Sequence, residues 1–192
     1  MRIVISIFAL PHEIDELENT LTQLRKASYY LNKTNEWVLD VTMCLADDMV
    51  DWKQSSLPKQ FFIDKMLKLS NGVDWCAKYF QIDDNIKGCV SHRKHTLETQ
   101  DTADFYIWLD TDIIFDERTL FYMEEGMKGT NKDFLNSIIT PEIVRIWDNT
   151  WDCIVNEQFL DKPLDYHLTN DPYKDNGIKG DISIVSVLNS NS

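Results

Sequence analysis

The stretch FYIWLDTDIIFD, residues 105–116, places two aspartates one residue apart inside an otherwise apolar run. A buried strand does not carry unpaired charge without a cause, because desolvating a lone carboxylate costs several kcal/mol. The segment FYIWL predicts a strand, and Asp110 and Asp112 follow where the chain leaves it. Since residues two apart in an extended backbone point to the same side, both carboxylates can converge on one target.

Strand and helix patterns alternate on the N-terminal side of this stretch. Three earlier strands are predicted at residues 3–5, 36–48 and 74–85, which are rich in β-branched and aromatic side chains. Three helices are predicted between them, over about residues 13–31, 58–71 and 88–100. A further helix is predicted after Asp116, followed by apolar segments at residues 134–140 and 182–188. This alternation predicts an α/β fold, with a mostly parallel sheet and helices on both faces.

Aspartates follow three of the predicted strands, at Asp47, Asp83 and Asp110. Ligands of parallel sheets bind beyond the carboxyl ends of the strands, so these carboxylates are expected at the binding edge. Two hard oxygen donors, Asp110 and Asp112, suit Mn²⁺ or Mg²⁺, which complete their shells with water and phosphate oxygens. The alternative is that this pair caps a helix that begins near Asp116.

The composition describes an acidic chain that can form a core. Its 192 residues are 43% hydrophobic and carry a formal net charge of -13. We therefore expect one domain that repels phosphate backbones and has no nucleic-acid partner. No segment has the length of a transmembrane helix, and the N-terminus lacks a signal-peptide pattern. Four dispersed cysteines, expected to be small buried hydrophobes, suit a reducing compartment and a cytoplasmic location.

Three motifs carry a resemblance to a known family. A run of bulky residues precedes the two aspartates at the end of FYIWL. The opening VISIFALPHEIDELENTLTQL contains a Leu-x-x-Thr-Leu helix at residues 17–21, and residues 9–12 replace a Pro-Thr-Tyr-Asn turn. The segment GCVSHRK, residues 88–94, is similar to Gly-x-Ser-x-Ala-Arg-Asn. In this order the motifs resemble the family 2 glycosyltransferases of the GT-A fold, over roughly the first three quarters of the chain.

The resemblance implies a transferase that moves a sugar from a nucleotide-diphosphate sugar to a hydroxyl of a carbohydrate or glycan acceptor. Asp110 and Asp112 would bind Mn²⁺ or Mg²⁺, which would neutralise the diphosphate leaving group. Residues 1–116 would form the nucleotide-sugar-binding half of a single GT-A-like domain, and residues 117–192 the acceptor half. The donor-binding residues that the resemblance implies are Ala9, His12, Asp47 (or Asp48), Arg93 and Asp110.

Four basic residues, His92, Arg93, Lys94 and His95, lie on the predicted helix over about residues 88–100. Arg93 can provide a planar, permanently charged contact to a phosphate, or it can be an ordinary surface arginine. His92 and His95 are three residues apart, and without further ligands nearby they do not form a zinc pattern. We interpret both histidines as exposed polar residues.

The catalytic base of an inverting transferase must lie within hydrogen-bond reach of the acceptor hydroxyl. No motif identifies it, and Asp148 and Asp152 are candidates by position alone. Trp147 and Trp151 have the same four-residue spacing, so one helical turn would present each pair on one face. The tryptophans can stack on an acceptor sugar or belong to a core.

Two other classes of protein remain open. A non-catalytic module would bind a nucleotide sugar without turnover, with part of the acceptor site missing from the chain. A phosphatase of the haloacid dehalogenase type also uses an Asp-x-Asp at a strand end. Its motif normally lies near the N-terminus, whereas three strand-helix units precede Asp110 here.

Overall fold

The N-terminal part of the chain forms a sheet of four parallel strands. The structure is a computed structural model, and it describes residues 1–111, 113, 115–129, 137–140 and 183–186. In the order β3-β2-β1-β4, the strands are β1 (Arg2–Ala9), β2 (Glu36–Met43), β3 (Ala77–Ile82) and β4 (Phe105–Trp108). The predicted α/β fold with a parallel sheet is confirmed.

Helices connect these strands and cover both faces of the sheet. They are α1 (Ile14–Ala27), which 3₁₀ turns flank at Pro11–Glu13 and Ser28–Tyr30, α2 (Lys59–Asn71) and α3 (Cys89–Thr99). Lys78 on β3 donates to the Ser70 carbonyl oxygen near the end of α2, whereas Gln81 on β3 contacts His95 of α3 at 3.0 Å. Because Lys78 and Gln81 are three positions apart in the strand, their side chains point to opposite faces, and so α2 and α3 lie on opposite sides.

The two faces of the sheet differ in polarity. On the α2 side the central strands present apolar residues such as Ile5 and Leu39, both fully buried. On the α3 side Ser6 of β1 lies beside Asp40 of β2 and Trp108 of β4 in a single row. Ser6 is 3% exposed and Asp40 is 2% exposed. Burial of apolar area therefore holds the α2 side together, while the α3 side also depends on hydrogen bonds.

The second strand is shorter than predicted. Its apolar pattern continues toward Asp47, but β2 ends at Met43. Met43 pairs with Ala9 on one side and with Ile82 on the other, and both neighbouring strands end there. Beyond this point the backbone of β2 has no strand to pair with, so the ladder stops and the chain turns.

Two compact units divide the chain, Met1–Glu117 and Arg118–Ser192. The second unit contains α4 (Thr119–Gly129) and an antiparallel pair, β5 (Ser137–Thr140) and β6 (Ser183–Ser186). The helix predicted after Asp116 thus begins at Thr119. The assignment of the two parts of the chain to donor and acceptor halves stays a prediction. None of the helices in the described residues combines the length and the apolar character needed to cross a bilayer.

A glycine fixes the start of α3. Gly88 has a φ of 155°, in a region that side chains disfavour, while a Cβ placed there would meet no atom within 4 Å. Replacing Gly88 with Ala should therefore lower the free energy of unfolding by about 1–3 kcal/mol through backbone strain alone. Urea unfolding at pH 7 measures this change.

Gly72 provides the matched control, because it caps α2 with an ordinary φ of -76°. Gly72→Ala should change the free energy of unfolding by less than Gly88→Ala does. Equal losses in the two variants would mean that the conformation of Gly88 does not determine its contribution.

Candidate functional site at the carboxyl edge of the sheet

The carboxyl ends of the four parallel strands meet at one edge of the sheet. The chain runs from β1 through β2 to β3 on one side, and then places β4 on the other side of β1. The gap between the carboxyl ends of β1 and β4 is therefore a topological switch point. Open α/β sheets bind their ligands in the crevice at such a point.

A small cleft lies at this switch point, between the ends of β1 and β4 and the first turns of α3. Its lining consists of Ser6, Phe8, Cys89, His92, Arg93, Trp108, Leu109 and Asp110. It has room for little more than one water molecule, so any larger ligand would extend over the sheet edge. Two residues predicted to bind the donor, Arg93 and Asp110, come together here.

The exposed part of the cleft holds a cation beside an anion. Arg93 Nη2 lies 3.9 Å from Asp110 Oδ1, and each of the two side chains is about half exposed. The guanidinium of Arg93 also lies 5.9 Å from the centre of the Trp108 ring, within the range of a cation–π contact. Trp108 stacks in turn on Tyr106, with ring centres 5.5 Å apart. Trp108 thus lies against the guanidinium of Arg93, whose side chain remains about half exposed.

A buried chain of hydrogen bonds begins at the inner end of the cleft. Ser6 Oγ lies 3.0 Å from Thr96 Oγ1, and Thr96 Oγ1 donates to Asp40 Oδ2 at 2.9 Å. Because Thr96 uses its only proton on Asp40, it accepts the hydroxyl proton of Ser6. His92 Nδ1 lies 3.4 Å from Ser6 Oγ. These contacts link His92, which lines the cleft, to the carboxylate of Asp40 beneath α3.

Burial sets the protonation of both ionisable groups in this chain. Desolvation, together with the charges of His95 and Arg93, lowers the pKa of His92 to about 4. Desolvation also raises the pKa of Asp40, while the hydrogen bond from Thr96 and the charge of His95 lower it. His92 is therefore neutral at physiological pH, and Asp40 depends on Thr96 for stabilisation of its charge.

The aspartates that follow β2 and β3 lie at the same edge, as predicted, and each has a partner of its own. Asp47 Oδ1 lies 2.5 Å from Lys59 Nζ, and Asp48 forms an ion pair with Lys87. The hydrogen bond from Lys87 lowers the pKa of Asp48. Asp83 accepts a hydrogen bond from the backbone of Asn85 at 2.9 Å. Asp47 is not part of the cleft lining, and its contact with a base or ribose stays a prediction.

The remaining predicted donor residues lie near the end of β1. Ala9 is fully buried, and its carbonyl oxygen accepts a hydrogen bond from the Cys44 backbone at 3.3 Å. His12 is exposed on the short 3₁₀ turn before α1. Neither residue lines the cleft, and their roles stay predictions. The expectation that every cysteine is buried is wrong for Cys89, which is exposed at the cleft because it stands in the first turn of α3.

Several predicted site residues lie outside the described part of the chain. They are Asp112 of the expected metal pair, the base candidates Asp148 and Asp152, and the neighbouring Trp147 and Trp151. Across the residues that the structure does describe, no cluster of three or more His, Cys, Asp or Glu side chains could hold a metal ion. Asp110 is thus the described member of the expected metal site.

The interpretation of His92 as an exposed residue is wrong. Its side chain is 1% exposed, because α3 turns His92 and Thr96 toward the polar row of the sheet. The signal that could have revealed this contact is Asp40, a charged residue in the middle of the apolar strand EWVLDVTM. An internal charge in one strand predicts a polar partner on the helix that covers it.

Comparisons of the chain with protein-family models, with curated proteins and with solved structures gave no match. The site must therefore be interpreted from its own geometry.

The low pKa of His92 predicts that acid destabilises the fold. Between the unfolded pKa of 6.5 and the folded pKa of about 4, the unfolded chain binds a proton that folded His92 does not. The free energy of unfolding should then fall by about 2–3 kcal/mol as the pH drops through this window. Asp40 acts in the opposite sense, since its raised pKa favours the folded state at acid pH and that contribution is lost as the pH rises.

Urea unfolding of the wild type and of His92→Gln from pH 7 to pH 4.5 tests this assignment. The variant should be less stable than the wild type at pH 7. Its free energy of unfolding should, however, fall much less between pH 7 and pH 4.5 than that of the wild type. His12→Gln serves as the control for removing an exposed imidazole. An undiminished acid decline in His92→Gln would show that His92 is not its source.

Proposed function

We propose that this protein is a glycosyltransferase of the GT-A type, which moves a sugar from a nucleotide-diphosphate sugar to a hydroxyl of a carbohydrate acceptor. The observation that supports the proposal most strongly is the pairing of Arg93 with Asp110 in a cleft at the topological switch point. A diphosphate with a divalent ion needs both kinds of group at one place, a cation for the phosphate and a carboxylate for the ion.

Asp110 has the chemistry that a divalent ion requires. Its carboxylate is an oxygen donor, and its side chain is 56% exposed beside the cleft. Mg²⁺ commonly uses one or two protein carboxylates and takes its remaining ligands from water and substrate phosphates. Asp110, together with Asp112, would therefore hold Mn²⁺ or Mg²⁺. When bound, the ion would supply neutralisation of the charge on the departing diphosphate.

Arg93 would bind and orient the phosphates. Its guanidinium is permanently charged and planar, and it can donate two parallel hydrogen bonds to a phosphate group. Trp108 restricts the guanidinium from one side, so less conformational entropy is lost when the phosphate binds. The acceptor hydroxyl would lose its proton to a carboxylate, for which Asp148 and Asp152 are the proposed residues.

Thermal unfolding with nucleotides tests the donor site. Uridine or guanosine diphosphate with Mn²⁺ should raise the melting temperature by several degrees at saturating concentration, because a ligand of the folded state adds RT ln(1 + [L]/Kd). Asp110→Asn should remove most of this rise and should alter the stability of the free protein by less than about 0.5 kcal/mol, since the residue is exposed.

Asp101→Asn is the matched control, because Asp101 is exposed and precedes β4 at the opposite edge of the sheet. It should keep the full nucleotide effect. The absence of any melting shift across nucleoside diphosphates with metal would overturn the donor site.

Turnover separates the three classes of function. Release of nucleoside diphosphate from nucleotide sugars, accelerated by a glycan acceptor, supports the transferase. Binding without turnover supports the non-catalytic module. Release of free phosphate from phosphomonoesters supports the phosphatase.

A further inference from the structure

Cations and aspartates form internal pairs along the carboxyl edge of the sheet. Lys59 pairs with Asp47, Lys87 with Asp48, and Arg93 with Asp110. The first two cations are in direct hydrogen-bond contact with their carboxylates. The Arg93–Asp110 pair is looser, at 3.9 Å between Nη2 and Oδ1, which exceeds hydrogen-bond distance.

The contacts of Arg93 are weak enough for its guanidinium to change partner. Within the described residues its guanidinium makes no hydrogen bond, and its contacts are the charge of Asp110 and the face of Trp108. An exposed ion pair without bidentate hydrogen bonds contributes little to stability, so it separates at low cost. The contact with the ring of Trp108 does not involve Asp110, so it does not require the carboxylate to be free.

We propose that Arg93 is an internal counter-ion of Asp110, which occupies this carboxylate until a divalent ion replaces it and then binds a phosphate oxygen of the same ligand. The inference rests on the proposed function, because it requires a metal at Asp110 and a diphosphate beside it. The inference adds that Arg93 exchanges Asp110 for a phosphate oxygen as its partner. The metal and the phosphate would therefore bind cooperatively. The metal releases Arg93 from Asp110, and the released arginine increases the affinity for the anion.

The exchange predicts effects of opposite sign when Arg93 is removed. Arg93→Gln should bind Mn²⁺ alone about two- to five-fold more tightly, because the ion no longer competes with the guanidinium for Asp110. The same variant should bind uridine diphosphate in the presence of Mn²⁺ about ten-fold more weakly, because a charge-assisted contact is lost. If Arg93 only stabilised the fold, its removal would not strengthen Mn²⁺ binding while weakening diphosphate binding.

Lys94→Gln is the matched control, because it removes the same charge from the next position of α3. Lys94 is exposed and lies 3.8 Å from Glu98, away from the cleft lining. This variant should leave Mn²⁺ affinity close to that of the wild type. Arg93→Lys, which keeps the positive charge, should also leave Mn²⁺ affinity nearly unchanged while weakening diphosphate binding, since an ammonium cannot make the bidentate contact.

Isothermal titration with Mn²⁺ alone, and with uridine diphosphate at saturating Mn²⁺, measures both effects for all variants. Tighter metal binding in Arg93→Gln alone supports the inference, and so does its disappearance in an Asp110→Asn background. If wild type binds metal and diphosphate but Arg93→Gln does not tighten metal binding, the counter-ion role is wrong and the donor site stands. If Lys94→Gln bound Mn²⁺ more tightly by the same factor, the change would come from the net charge of the protein. The counter-ion role of Arg93 would then be wrong. If neither wild type nor Arg93→Gln binds Mn²⁺, the metal site fails together with the inference.

Discussion

Helix α3 rests on the sheet through hydrogen bonds, and the cleft depends on this contact. Its buried residues are His92 and Thr96, which meet Ser6 and Asp40 on the central strands. An apolar interface tolerates small shifts, whereas a chain of hydroxyl contacts to a buried carboxylate requires one register of the helix. That register places Arg93, the residue after His92, over Trp108 at the edge of the sheet. A buried interaction therefore determines where an exposed cation stands.

The internal ion pairs would allow an acidic chain to bind the anionic ligand that we propose. A net charge of -13 would repel phosphates from a uniform surface. At the carboxyl edge, however, Lys59, Lys87 and Arg93 each stand beside an aspartate, so three of the carboxylates there are offset by a cation. A ligand that combines phosphate with a divalent ion matches such paired charges, since it brings a partner for each member.

The sequence predicts the parallel sheet and its edge well, because strand and helix periodicities are local properties of the chain. The aspartates after β2, β3 and β4 follow from the same patterns, since parallel strands bring their carboxyl ends together. The resemblance to a family implied that Arg93 and Asp110 both bind the donor, but it did not predict the contact between them. The burial of His92 was missed because a polar helix face is ordinarily solvated, and the matching polarity of Asp40 lies on a different strand. The match between a polar helix face and a polar strand residue involves two separate elements, so the pattern of either segment alone does not predict it.

The cleft between the ends of β1 and β4 is the proposed ligand site, and nuclear magnetic resonance can test this directly. Backbone amide spectra of the ¹⁵N-labelled protein would be recorded during titration with uridine diphosphate and Mg²⁺. If the ligand binds in the cleft, the largest shift changes should occur in the first turn of α3 and in the residues that follow β1 and β4. Shift changes confined to the opposite edge of the sheet, or to residues 118–192, would contradict it.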